Sequence, residues 1–191
     1  LCINLKDEMS VDKMMKREEE QLDYIWDRIN SIDGLTILAD RHKNRLGVIS
    51  FYVDGLHYNL GVKMLNDRFG IQTRGGCSCA GTYGHYLLNI SEDVSHSITE
   101  QITHGDCSLK PGWIRMSIHP TMSNEELDFI VAALQELAAN YPSWTEDYNI
   151  DYTHNLVTHK NLKADNHLKE EMEFLLDSPI SELVNEPIPV N

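Results

Sequence analysis

A glycine-rich segment with two cysteines is the feature of this sequence that is best suited to chemistry. It reads Arg74-Gly-Gly-Cys-Ser-Cys79 and sets two thiols among very small side chains. A thiolate is a strong nucleophile, and a nearby guanidinium or helix N-terminus favours the charged form of a thiol. Cys79 follows Arg74 by five residues and precedes a helical segment, so we favour a functional thiol here over two buried structural cysteines.

The same segment also allows a metal-binding interpretation. Cys77, Cys79 and His85 supply three metal-ligand side chains within nine residues. Structural zinc sites need four ligands and usually space their cysteines as Cys-x2-Cys, which this segment does not do. A disulfide between Cys77 and Cys79 is sterically unfavourable. A sulfur or metal carrier without enzymatic activity therefore stays open as the weaker alternative.

Arg115 is the second candidate because it interrupts an apolar strand. Ile114 and Met116 flank it, and strand alternation places Arg115 on the face opposite to both. A buried guanidinium is costly unless an anion pairs with it, and guanidinium groups bind carboxylates through two parallel hydrogen bonds. The sequence leaves two anions open, namely the carboxylate of a ligand and an Asp or Glu of the chain itself.

The elements that must position these residues form an α+β pattern. Apolar residues three and four apart predict helices, and alternating β-branched and aromatic residues predict strands. The predicted helices cover residues 10–32, 57–69, 123–140 and, as a weaker pattern, 90–102. The predicted strands cover residues 35–39, 46–53 and 113–118. Between the helices at 57–69 and 90–102, a short extended segment is predicted at 71–74 and a loop at 75–84. We predict the α+β fold class, with a small, mostly antiparallel sheet and helices packed on one face.

The C-terminal part of the chain is acidic and less regular. Residues 121–191 contain 3 basic and 14 acidic side chains and so carry most of the formal charge of −14. We predict a loop over 142–164, a helix over 165–177 and a proline-containing tail over 178–191, which together make an acidic extension that is partly helical. A solvated face is the simpler interpretation, and a protein-binding module that docks a basic partner is the alternative.

Length and composition exclude several classes of function. The chain has 191 residues and a mass of 21.9 kDa, enough for one domain with an appendage. Its 16 basic against 30 acidic residues argue against nucleic acid and anionic membranes as partners. No apolar run approaches the roughly 20 residues that span a bilayer. Four cysteines without framework spacing predict a reducing, cytoplasmic location.

Two motifs resemble the C-terminal small domain of class-V aminotransferases, the group that includes cysteine desulfurases and selenocysteine lyases. The first is Phe69-Gly-Ile-Gln-Thr-Arg-Gly-Gly-Cys-Ser-Cys-Ala-Gly-Thr-Tyr-Gly-His85, and the second is Lys110-Pro-Gly-Trp-Ile-Arg-Met-Ser-Ile-His-Pro-Thr121. The resemblance covers about residues 1–140. It implies a pyridoxal phosphate enzyme that acts on an amino acid, forms a homodimer and holds its cofactor on a lysine of another domain.

The resemblance also implies roles for single residues. By position in the motifs, Arg115 resembles the arginine that binds the substrate α-carboxylate, Arg74 the arginine that opens the active-site loop, and Cys79 the desulfurase nucleophile. The implied bounds are 1–141 for the small domain and 142–191 for the extension. Because the cofactor-lysine domain is not part of this chain, we expect the fragment alone to hold no pyridoxal phosphate and to be inactive. Transamination and sulfur abstraction both stay open.

Overall fold

Helices and short strands alternate along the part of the protein that the computed structural model describes, residues 7–77, 81–106, 108–151 and 153–161. The helices are α1 (Val11–Asn30), α2 (Tyr58–Phe69), α3 (Gly81–Leu87), α4 (Glu92–Thr103) and α5 (Asn124–Trp144). The strands are β1 (Leu35–Ile37), β2 (Val48–Val53), β3 (Arg74–Gly76), β4 (Trp113–Ser117), β5 (Tyr148–Asp151) and β6 (Leu156–His159). A 3-10 turn, Thr145–Asp147, links α5 to β5.

The first four strands form one antiparallel sheet with the order β1-β2-β4-β3. Alternate residues of its two central strands, Ile49 and Phe51 in β2 and Ile114 and Met116 in β4, are buried on what we call the inner face. The apolar sides of α1, α2 and α5 cover this inner face and complete the core. The predicted fold class is therefore confirmed, and the outer face of the sheet points away from these three helices.

Local signals fix the ends of two helices. The backbone N–H of Ser123 donates to Glu126 Oε2 at 2.7 Å and the backbone N–H of Glu126 donates to Ser123 Oγ at 3.2 Å, and these two hydrogen bonds form a capping box at the start of α5. Gly70 ends α2 in the left-handed conformation, with φ 68°. α5 runs beyond its predicted end to Trp144 and contains Pro142 in its last turn.

The loop predicted over 142–164 is wrong in its central part, where β5 and β6 form an antiparallel hairpin. Tyr148 is 4 % exposed, and Ile150 and Val157 pack against the core. Each strand has only four residues, so its alternation of polar and apolar residues is too short to predict a strand. Pairing between the two strands and packing of β6 on α2 decide this region.

The loop predicted over 75–84 is wrong at both of its described ends. The loop predicted over 75–84 contains the end of β3 and the start of α3, whereas the weak helical pattern over 90–102 is confirmed as α4. The helix predicted over 165–177 and the tail predicted over 178–191 lie outside the described residues. Within the described ranges, no helix combines the length and the apolar character needed to cross a membrane.

Candidate functional site

The structure brings the two predicted arginines together on the outer face of the sheet. Arg74 in β3 lies directly opposite Arg115 in β4, and Arg115 lies opposite Ser50 in β2. Residues opposite each other in antiparallel strands share one face, with Cβ atoms about 4.5–5.5 Å apart. The side chains of Arg74, Arg115 and Ser50 therefore leave the sheet in one row across three strands, although 40 residues lie between the arginines along the chain.

Neither arginine has an ion pair or a side-chain hydrogen bond to any described residue. Other basic side chains of the chain do find acids: Arg28 Nη1 lies 2.5 Å from Asp128 Oδ1, and this hydrogen bond holds the pKa of Asp128 below its usual value. The sequence left open whether Arg115 pairs with an Asp or Glu of the chain. No described residue supplies such a carboxylate.

The four strands of the sheet contain no charged side chains that could neutralise the two arginines. β1 to β4 contain no Lys, His, Asp or Glu, so Arg74 and Arg115 are the charged residues of the sheet. Arg74 is exposed and Arg115 is half-buried, so both residues are accessible from solvent. Two like charges directly opposite each other destabilise a sheet. An external anion that binds between them removes this repulsion, and a carboxylate has the geometry that guanidinium groups bind best.

Helix α2 supports the strand that carries Arg74. A Cβ added to Gly75 would lie 2.9 Å from Cδ2 of Tyr58 and 3.1 Å from Cγ2 of Val62, so β3 needs a glycine where it crosses α2. His57 caps this helix, because its Nδ1 accepts a hydrogen bond from the backbone N–H of Asn59 at 3.3 Å. Burial lowers the pKa of His57, which keeps the imidazole neutral and able to accept this hydrogen bond.

The cysteine-containing segment begins next to the arginines, at the neighbouring cross-strand pair on the same face of the sheet. Gly76 lies opposite Trp113, two residues before Arg115 in β4, and Cys77 follows directly as a half-buried free thiol. α3 crosses this end of the outer face: a Cβ added to Gly84 would lie 3.2 Å from Cζ3 of Trp113 and 3.3 Å from Cβ of Cys77. Cys79 itself lies outside the described residues, so its position relative to Arg74 stays a prediction.

The metal-binding alternative gains no support from the described residues. Nδ1 of His85 lies 2.5 Å from Oγ of Ser95, so one nitrogen of this predicted ligand is already engaged. No three His, Cys, Asp or Glu side chains in the described ranges are close enough together to hold a metal ion. A site that includes Cys79 is not tested by this observation, because Cys79 lies outside those ranges.

Sequence reasoning missed Ser50 as a neighbour of the arginines, and it missed the cover that α3 places over Trp113. Ser50 belongs to a strand 65 residues before Arg115, and its place in the row follows from strand pairing alone. Trp113 is 7 % exposed although it lies on the outer face, because α3 covers it. The strand pattern identified the face of each residue, but no local signal in the sequence specifies which strands become neighbours.

Comparison with known proteins decides the family. The model of the family described as aminotransferase class V matches residues 1–130, well over half of the chain. The chain belongs to the class-V aminotransferase family. A probable cysteine desulfurase of Halalkalibacterium halodurans is 26% identical over 105 residues, which cover 49% of this chain and 25% of that relative. The chain thus spans about a quarter of the length of the curated relative that it matches.

A solved structure is also similar to this class-V aminotransferase chain. It is the apo structure of a cysteine desulfurase from Thermococcus onnurineus NA1, with a TM-score of 0.48 and 18% sequence identity. The similarity covers 70% of this chain and 28% of the solved chain.

Enzymes of the class-V aminotransferase family depend on pyridoxal phosphate, and the sheet that carries Arg74 and Arg115 does not fit that cofactor. The cofactor needs a lysine for its aldehyde, an acid beside its pyridine nitrogen and a cradle for its phosphate. The outer face around Arg74 and Arg115 is built from strands that contain neither lysine nor acid.

Proposed function

We propose that this chain forms the substrate-binding wall of a pyridoxal phosphate enzyme that acts on an amino acid. In this proposal Arg115 binds the substrate α-carboxylate, and Arg74 adds a second positive charge beside it. The observation that carries the proposal is the pair of arginines that lie opposite each other in the strand register and have no acidic partner among the described residues. Membership of the class-V aminotransferase family supplies the reaction class.

Within this proposal, the reaction is desulfurase-like and the Cys79 thiolate attacks the sulfur of a cysteine substrate. The S–S bond of a persulfide forms while the substrate C–S bond breaks, and the substrate carbon keeps the electron pair and takes up a proton, so that alanine leaves. Support comes from the similarity to a protein named as a probable cysteine desulfurase. It also comes from the position of Cys77, which follows Gly76 directly, because Gly76 pairs with Trp113 two residues before Arg115. A substrate whose carboxylate is bound at Arg115 would then extend its side chain along the outer face toward this segment.

The remaining parts of the enzyme are proposals as well. The cofactor and its lysine belong to a domain outside this chain, and residues 1–141 act as the small domain beside it. A homodimer, whose subunits complete each other's active sites, fits the family. The cytoplasmic location that the cysteine content predicts stays a prediction, as does a docking role for the acidic residues 142–191.

A titration of this chain with acetate tests the carboxylate site. Arginine side-chain Nε–Hε signals in NMR spectra report binding at each guanidinium separately. We expect acetate to shift the signals of Arg115 and Arg74, and Arg115→Gln to weaken the binding by about ten- to hundred-fold, since hydrogen bonds to charged groups contribute about 1.5–3 kcal/mol. Arg41→Gln, an exposed arginine in the turn after β1, is the matched control. Acetate binding that survives Arg115→Gln contradicts the proposal.

A persulfide assay tests the reaction. In a longer protein that joins this chain to the predicted cofactor domain, we expect L-cysteine to leave a persulfide on Cys79. The variant Cys79→Ser should lose this product, while Cys77→Ser, two residues away, should keep it. Conversion of the amino acid to a keto acid with no dependence on either cysteine would indicate transamination instead. It would remove the proposed role of Cys79 and leave the carboxylate site in place.

A further inference from the structure

A cleft on the other side of the protein carries a second inference, which does not depend on the proposed function. It lies between α1 and the residues just before β2, and its volume is about 840 Å³. Leu22 forms part of its lining, and two large apolar side chains at its opening are exposed, Met15 by 59 % and Leu46 by 67 %. We call this feature the α1 cleft.

The basic side chains of the α1 cleft are already engaged within the protein. Lys43 Nζ lies 3.2 Å from Oδ1 of Asp23 on α1, and Lys16 pairs with Glu20 at 4.0 Å. Arg45 donates to the backbone oxygens of the preceding turn, at 2.6 Å in the case of His42, and its guanidinium lies over the ring of a core tryptophan. These contacts hold the turn that forms one wall of the cleft against α1.

Three acidic side chains of the α1 cleft have no such partner. Asp12, Glu18 and Glu19 line it and form no ion pair with any described residue. Asp12 and Glu19 are seven residues apart, which is two helical turns, so they follow one side of α1 above and below Met15. What the α1 cleft offers to an outside molecule is therefore an apolar opening bordered by negative charge.

We propose that the α1 cleft binds a segment of a partner protein in which one large apolar side chain is flanked by Lys or Arg. The apolar side chain enters between Met15 and Leu46, and the flanking cations meet Asp12, Glu18 and Glu19. Methionine suits this role because its flexible side chain repacks around different apolar groups. An amphipathic helix in a groove is the usual way in which such a pattern is recognised.

Fluorescence anisotropy with a labelled peptide tests this proposal. The probe is an amphipathic helix of leucine and lysine, about four turns long, and the charge-only control is a lysine peptide of the same net charge. At moderate ionic strength we expect the probe to bind at least about five-fold more tightly than the lysine peptide. Replacing Glu18 and Glu19 by Gln should weaken probe binding at least about five-fold, since two cross-interface charge pairs are lost.

Three further variants separate the α1 cleft from the general negative charge of the chain. Leu46→Ser should weaken the probe several-fold and leave the lysine peptide unchanged. Glu100→Gln with Glu136→Gln removes two exposed charges elsewhere and should change probe binding less than two-fold. Equal losses from both double variants, or equal binding of the two peptides, would overturn the proposal. Tighter probe binding after deletion of residues 1–6 would also overturn it, because those residues of the chain itself would then be the occupant.

Discussion

The repulsion between Arg74 and Arg115 gives the sharpest prediction about this protein. If the two guanidinium groups face each other without an internal acid, removing either one should relieve unfavourable charge–charge interaction in the folded state. Opposite charges at facing positions of a sheet contribute about 0.2–1 kcal/mol, and we expect a cost of the same size for like charges, which are destabilising there. We therefore predict an unfavourable coupling energy of this size between Arg74→Gln and Arg115→Gln, the opposite sign to that of a salt bridge.

A double-mutant cycle measures this coupling apart from the packing of each side chain. The free energy of unfolding is determined in urea for the parent chain, the two single variants and the double variant. Urea is uncharged, so the ionic strength is set independently. The Debye length falls from about 10 Å at 0.1 M salt to about 3 Å at 1 M, so the coupling should shrink strongly at 1 M salt. Addition of acetate at constant ionic strength should stabilise the parent chain more than either single variant.

The matched control is Arg41→Gln, which removes the same charge from an exposed turn. The chain has a net charge of −14, so losing a positive charge there should leave stability unchanged or slightly lower. A favourable coupling between Arg74 and Arg115, or a large loss of stability in Arg115→Gln that vanishes at high salt, would show that an acid of the chain pairs with them. The proposed carboxylate site would then lose its basis.

Three further predictions concern the elements that support the site. Ser123→Ala removes one side of the capping box with Glu126 and should lower the free energy of unfolding in urea by about 0.5–2 kcal/mol. Because burial lowers the pKa of His57, the unfolded chain binds a proton at this imidazole more tightly than the folded chain does. The free energy of unfolding should therefore fall as the pH drops below about 6.5. His57→Asn keeps a capping side chain and should flatten this pH dependence in urea titrations. Gly112→Ala would set a Cβ 2.5 Å from Cδ1 of the buried Tyr58 ring and should cost about 1–3 kcal/mol, seen as a lower thermal midpoint; an unchanged midpoint would contradict this packing.

The fold was predicted best where the periodic pattern is long. α1, α2 and α5 each repeat their apolar residues over three or more turns, and β2 alternates over six residues, so local sequence is sufficient to identify them. β5 and β6 were missed because strands of four residues carry too little pattern and depend on packing against α2. β3 is three residues long and was identified only as a short extended segment.

The candidate site divides in the same way between sequence and structure. By itself, the sequence determined which residues have the right chemistry, Arg74, Arg115 and Cys79, and that Arg115 stands opposite the apolar face of its strand, because residue type and strand alternation are local properties. Only the tertiary structure decided that Arg74 faces Arg115, that Ser50 completes their row and that no described acid neutralises them. Strand order and register depend on contacts between distant segments, and the sequence of a single strand contains no information about its neighbour.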